Sequence, residues 1–243
     1  MDVFITVLIV IAYFLIILAV LPIMFKTFLR MPKEVVRKFQ HIGFASSIFI
    51  FTERCESWWR AVIVLVIFGA SIFFIVWGFE KTKFYNRSFV DRQKKGGEMK
   101  ISLLMAMGVF IGLFILFGGI LPRSNNDIIV ISVMSWGVGD ALAALFGKYL
   151  GKRKLKSFGT DHNKTWLGST VMAISVSIVV FIMLVFYQSN PWWSALISSL
   201  IIAVIATTIE AYTKKGFDTL TIPFGVAFVL YGLSWFWFGI LGG

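Results

Sequence analysis

Apolar stretches of about 20 residues alternate with short polar segments along most of this chain, and a run of that length carries a helix across a ~30 Å hydrocarbon core. The alternation predicts eight spans, at 3–25, 39–52, 60–79, 101–121, 128–147, 165–187, 194–212 and 222–241. The second is short, so it either borrows length from the amphipathic 33–38 segment or is re-entrant. No linker, low-complexity tract or internal repeat interrupts the pattern. The expected fold class is therefore an all-α polytopic integral membrane protein, organised as a single domain over 1–243.

Composition sharpens this. The chain is 58% hydrophobic and only 14% charged, with a mean hydropathy of +0.87. A soluble domain of 243 residues cannot hide that much apolar surface, whereas a bilayer accepts it. The first 25 residues have neither a basic start nor a small-residue cleavage site, and read as a retained span rather than a signal peptide. One cysteine, Cys55, excludes an intrachain disulfide and a Cys-rich metal site.

Charge then orients the spans. Segments 26–38, 80–100, 148–164 and 213–221 hold 20 of the 23 Lys and Arg residues, and the alternate loops hold only Arg54, Arg60 and Arg123. With eight spans every basic loop falls on one side, which the positive-inside rule places in the cytoplasm, with both termini outside. The net charge of +11 is thus mostly topology. It is spread over four short loops with no soluble domain to carry it, which argues against nucleic acid as a partner. The basic 80–100 segment reads the same way. Trp58, Trp59, Trp192 and Trp193 stand at outer span ends, as interfacial anchors do.

Ionisable groups in or at the edge of a membrane cost about 2.5–3.5 kcal/mol on insertion scales and invite a functional reading. Here they share a side. Glu34, Arg37, Lys38 and His41 are spaced i, i+3, i+4, i+7 on one helical face. Asp140 lies about 12 Å below the cytoplasmic end of its span, counting back from Lys148 at 1.5 Å per residue. Lys164, Thr165, Gly168 and Ser169 open the sixth span. Glu210 lies one turn before Lys214, its expected i, i+4 partner, and Asp218 precedes the last span. The small residues around Asp140 (Gly137, Gly139, Ala141, Ala143, Ala144 and Gly147) suit close helix packing.

Cations that hold a polyphosphate, hard carboxylate oxygens for Mg²⁺ and a base for an attacking hydroxyl are what phosphoryl or nucleotidyl transfer requires. Lys164, the Thr165 hydroxyl, the N–H groups that open the sixth helix at Gly168 and Ser169, and the loop cations Lys152 and Lys154 suit phosphate oxygens, and Asp140 and Asp218 suit the metal. His41 serves as base or phosphate contact. Neither a P-loop nor a protein-kinase glycine loop is present.

Four motifs in this order resemble a known family: E-x-x-R-K-x-x-H at 34–41, GDALAALFGKYLGKRKL at 139–155, KTWLGS at 164–169, and Glu210 followed by GFDTLTIP at 216–223. The pattern resembles the CTP-dependent lipid kinases (dolichol kinase, phytol kinase and the CTP-using diacylglycerol kinase), which share a membrane superfamily with CDP-diacylglycerol synthase. The resemblance implies phosphorylation of a membrane lipid hydroxyl with CTP and Mg²⁺ or a similar divalent ion, just below the cytoplasmic surface. Residue by residue, it puts Arg37, Lys38 and His41 in the R-K-x-x-H element, Asp140 in the G-D element, Lys164 and Ser169 in the K-[ST]-x-x-G-S element, and Asp218 in the C-terminal D-N. Glu210 is expected as a further catalytic carboxylate, the alternative to Asp218 in holding the metal with Asp140. Thr219 stands where Asn is expected, and Leu167 where Glu or a small residue is common. Synthase-like phosphatidate cytidylyltransfer is the nearest alternative. A small transporter built around Asp140, or a scaffold, is the alternative of another class, and a homo-oligomer is compatible with the pattern.

Overall fold

The computed structural model describes residues 3–79, 98–122, 126–155, 164–213 and 216–241. All its regular elements are helices, and among the described residues the nearest thing to a strand is one antiparallel bridge between Lys154 and Thr165. Helices are what a lipid solvent permits, because each backbone N–H and C=O finds its partner inside the segment. The chain divides into two compact units, Met1–Leu121 and Pro122–Gly243.

In the first unit, α1 (Val3–Leu15) passes through a π-helical stretch (Ile16–Val20) into α2 (Leu21–Thr27). The residues at both joins stay right-handed helical, so Val3 to Thr27 is helical throughout, which covers the predicted first span. Pro32 then starts α3 (Lys33–Ser46), its carbonyl accepting from the Val35 and Val36 N–H groups. Helix α4 (Ile48–Arg54) follows after Ser47, whose hydroxyl donates back to the Phe44 carbonyl. The predicted short second span is thus two helices, and its first half is amphipathic: Val36, Gly43, Phe44 and Ala45 are buried while Lys33 is exposed. Helices α5 (Trp58–Phe79) and α6 (Glu98–Leu113), the latter continued by a second π-helical stretch (Phe114–Ile120), complete the unit.

Aromatic side chains fill its centre. Phe14 meets Phe44 and Phe68 at 5.4 and 4.5 Å between ring centroids, and Phe110 meets Phe44 and Phe51 at 5.3 and 6.3 Å. Five helices therefore converge on one cluster of phenylalanines. Each such pair contributes about 0.5–1.5 kcal/mol beyond its area in soluble proteins.

The second unit is a four-helix arrangement: α7 (Asn126–Tyr149), α8 (Trp166–Ile182, continued by a π-helical stretch over Met183–Tyr187), α9 (Trp192–Tyr212) and α10 (Asp218–Leu241). Helix α7 packs on α8 and α10, and α9 packs on the same two. Serines join them inside the apolar zone: Ser177 and Ser199 hydroxyls lie 3.4 Å apart, and the Trp237 indole donates to Ser198 at 2.8 Å. Gly216, at φ +99°, makes the turn between α9 and α10, a backbone conformation that favours glycine.

Among the described residues six elements are long and apolar enough to cross a membrane: α5, α6 with its extension, α7, α8 with its extension, α9 and α10. They make the chain an integral membrane protein. Helix α7 is the most enclosed of them, with 67% of its span buried against 28% for α5, α8 and α10. Asp140 is therefore carried by the helix least exposed to lipid.

Candidate active site

The second unit holds the densest cluster of site residues, and it begins with a close helix crossing. Gly139, Ala143 and Gly147 repeat every four residues on α7 and face the start of α8. A Cβ on Gly139 would sit 2.7 Å from the Met172 sulfur and 2.8 Å from Val176, and one on Gly168 would sit 3.1 Å from the Ala143 carbonyl oxygen. Of the six small residues expected to pack, these are the ones the α8 backbone and side chains press against. Small residues at that interval let two backbones approach, which is how membrane helices associate without a hydrophobic driving force.

At the end of the crossing the chain is held by a short ladder. The Leu155 N–H donates to the Lys164 carbonyl at 2.9 Å, and the Trp166 N–H donates to the Arg153 carbonyl at 3.0 Å. Thr165, extended and only 8% exposed, caps α8: its hydroxyl accepts from the Gly168 N–H at 3.1 Å. Gly147 and Gly151 crowd the same hydroxyl, leaving no room for a side chain at either position. Thr165 and Gly168, expected among the nucleotide contacts, thus have an evident structural task in setting the start of α8.

That anchoring turns Lys164 inward. Its ammonium lies 3.0 Å from Glu210 Oε1 and also donates to the Glu210 backbone carbonyl. Both side chains are largely buried, at 15% and 11% exposure. The Ser169 hydroxyl, one turn into α8, donates to Glu210 Oε2 at 3.5 Å. Glu210 thus joins α9 to the start of α8. The charges of Asp140 and Asp218 also act on Glu210. Each helix of the unit thus carries one ionisable group that bears on this pair: Asp140 on α7, Lys164 at the head of α8, Glu210 on α9 and Asp218 on α10. Asp218 begins α10, where its Oδ1 accepts from the Thr219 N–H at 3.0 Å.

Three carboxylates and one ammonium leave a local charge that suits a divalent cation, and the oxygens are hard ligands. Among the described residues no three His, Cys, Asp or Glu side chains are grouped to hold a metal alone. Carboxylate oxygens of this kind are the ligands Mg²⁺ takes, usually one or two at a time with substrate phosphates and water completing the shell.

Facing outward from the same ladder is an open depression of about 420 Å³ lined by Lys152, Arg153, Lys154 and Trp166. Lys152 and Lys154 are exposed, as phosphate-seeking loop cations must be. Arg153 and Trp166 were not expected there. The signal available in the sequence was their adjacency to Lys152, Lys154 and Lys164, but only the ladder shows that they line one surface.

Arg37, Lys38 and His41 belong to α3 in the first unit. Arg37 pairs with Glu34 one turn back, with guanidinium nitrogens 2.8 and 2.9 Å from Glu34 Oε2. Lys38 is buried, at 4% exposure, and His41 is half-buried. Asp161, Lys214 and the 80–97 part of the basic loop lie outside the described residues.

The sequence profile of the cytidylyltransferase family matches residues 1–208. The chain belongs to that family. It is also 28% identical over 213 residues to the phytol kinase of Synechocystis sp., covering 86% of this chain and 83% of that protein. No solved structure matches. The family assignment and the kinase relative agree with the resemblance carried by the R-K-x-x-H, G-D and K-T-W-x-G-S motifs.

Proposed function

We propose that this family member is a CTP-dependent lipid kinase that phosphorylates the hydroxyl of a membrane lipid alcohol of the polyprenol, phytol or diacylglycerol type. The observation that carries the reading is the Lys164–Glu210–Ser169 contact, within electrostatic reach of Asp140 and Asp218, built by the motif residues of a family that includes a phytol kinase relative. The chain 1–243 works as one membrane-embedded kinase domain with eight crossings, both termini outside, and this cluster facing the cytoplasm. The contiguous helix Val3–Thr27 and the α3–α4 pair supply the two crossings beyond the six long helices.

In the reaction the lipid oxygen attacks the γ-phosphorus of CTP. The new P–O bond forms as the bond to the β,γ-bridging oxygen breaks; CDP leaves, and the hydroxyl proton passes to a base. Lys164 exchanges its bond to Glu210 for one to the phosphates, with Lys152 and Lys154 steering the triphosphate in. Asp140, with Asp218, would hold the Mg²⁺. When bound, that ion supplies charge neutralisation on the transferring phosphoryl group. Ser169 keeps Glu210 oriented toward Lys164. His41 is proposed as base, and Arg37 and Lys38 as phosphate contacts, on the R-K-x-x-H motif alone.

The family's name favours one second reading, transfer of the cytidylyl group to phosphatidate by attack at the α-phosphorus. One assay separates the two. Purified protein receives γ-labelled CTP, Mg²⁺, and polyprenol, phytol or diacylglycerol in mixed micelles. Label in the lipid supports the kinase; pyrophosphate release on adding phosphatidate supports the transferase. Failure of both, with solute counterflow in liposomes, returns the protein to the transporter class. The topology is tested in a Cys55→Ser background: a cysteine at Lys152 should label from the cytoplasm and one at Ser189 from outside.

A further inference from the structure

We propose that Trp166 is a stacking platform for the base of the nucleotide donor, beside the cations that take its phosphates. This rests on the reading of the protein as a nucleotide-dependent enzyme and adds a binding residue to it. Trp166 is 62% exposed at the head of α8 and lines the same depression as Lys152, Arg153 and Lys154. Its backbone is immobilised by the bond from its N–H to Arg153 and by the Thr165 cap beside it. Among the described residues the indole has no hydrogen-bond, ring or cation partner. Trp59, by contrast, lies under Arg60 at 5.3 Å and Trp193 lies against Trp237 at 5.4 Å; Trp77 and Trp192 are as exposed as Trp166, and it is the shared depression with three cations that sets Trp166 apart.

A rigid, unengaged aromatic face next to three cations has the two parts of a nucleotide site, a flat apolar surface for a ring and positive charge for phosphate. A tryptophan serving only to anchor a helix at the membrane surface needs the exposure but not the surrounding depression. The inward and outward faces of K-T-W then divide the work. Lys164 points to Glu210, and two residues later Trp166 is exposed beside the loop cations, with buried Thr165 as the pivot.

Stacking is tolerant of base identity, since every base has a π-face. The platform therefore adds affinity without choosing cytosine, which makes the test specific. Binding of CTP, UTP, ATP and inorganic tripolyphosphate to the purified full-length protein in micelles is measured for wild type, Trp166→Ala and Trp166→Phe. Trp166→Ala should weaken all three nucleotides by about tenfold and tripolyphosphate by less than twofold, and Trp166→Phe should recover most of the loss. Equal loss for nucleotides and tripolyphosphate overturns the platform, because charge or fold has then changed instead. CTP affinity in Trp166→Ala within twofold of wild type also overturns it, and leaves Trp166 as an interfacial anchor. Wild-type protein that binds no nucleotide overturns the functional reading and the platform together.

Discussion

Two of the charge pairs among the described residues are built in opposite ways. In the first unit Glu34 and Arg37 stand one turn apart on a single helix. In the second, Lys164 and Glu210 are separated by 46 positions and come from two helices that meet through packing. A local pair stabilises a helix by about 0.2–0.5 kcal/mol and survives changes elsewhere. A buried tertiary pair is different, because removing one partner leaves the other charged and enclosed, at a cost of about 3–5 kcal/mol. The second pair therefore reports on the fold as well as on the chemistry.

The sharpest break should come from Asp140. With Asp140→Asn, label transfer from CTP to lipid should fall by about a thousandfold while helical content by circular dichroism stays the same. Activity within tenfold of wild type would remove Asp140 from the metal site. Next comes the pair itself. Lys164→Met should lower turnover at least about a hundredfold and destabilise the protein by roughly 3–5 kcal/mol. Adding Glu210→Leu to it should restore stability but not activity. If the double variant is no more stable than Lys164→Met alone, the pair is not what holds α9 to the start of α8.

Packing offers the third comparison. Gly168→Ala places a methyl group 3.1 Å from the Ala143 carbonyl oxygen, and a cost of about 1–3 kcal/mol is expected. Gly139→Ala meets the Met172 sulfur at 2.7 Å and the stiff Val176 side chain at 2.8 Å and should cost at least as much. Gly108→Ala, with nothing within 4 Å of the new carbon, should cost nothing and provides the control from the first unit. Thermal unfolding in detergent ranks the three. The smallest effect is expected for Glu34→Gln, at most about 0.5 kcal/mol, since the pair it weakens is local. A loss beyond 2 kcal/mol would mean that this pair, too, is tertiary.

Hydropathy made much of the helical pattern legible in advance. Solvent matching is a one-dimensional property, so seven of the eight predicted spans coincide with continuous helical runs, within a few residues at their ends. The exception, 39–52, was marked by its shortness. Motif spacing likewise picked out Asp140, Lys164, Ser169, Glu210 and Asp218 before any coordinates. What spacing could not supply was partners. It offered Glu210 a cation one turn on, at Lys214, which lies outside the described residues, and gave no hint of Lys164, whose ammonium reaches Glu210 across the unit.

The sequence by itself determined the solvent, the spans and the residue types available for chemistry, because each depends on composition within a short window. Only the tertiary structure decided which glycines bear the α7–α8 crossing, which carboxylate holds Lys164, and that Trp166 shares a surface with Lys152 and Arg153. Those choices depend on which helices touch and at what depth, and distance through space is not written in distance along the chain.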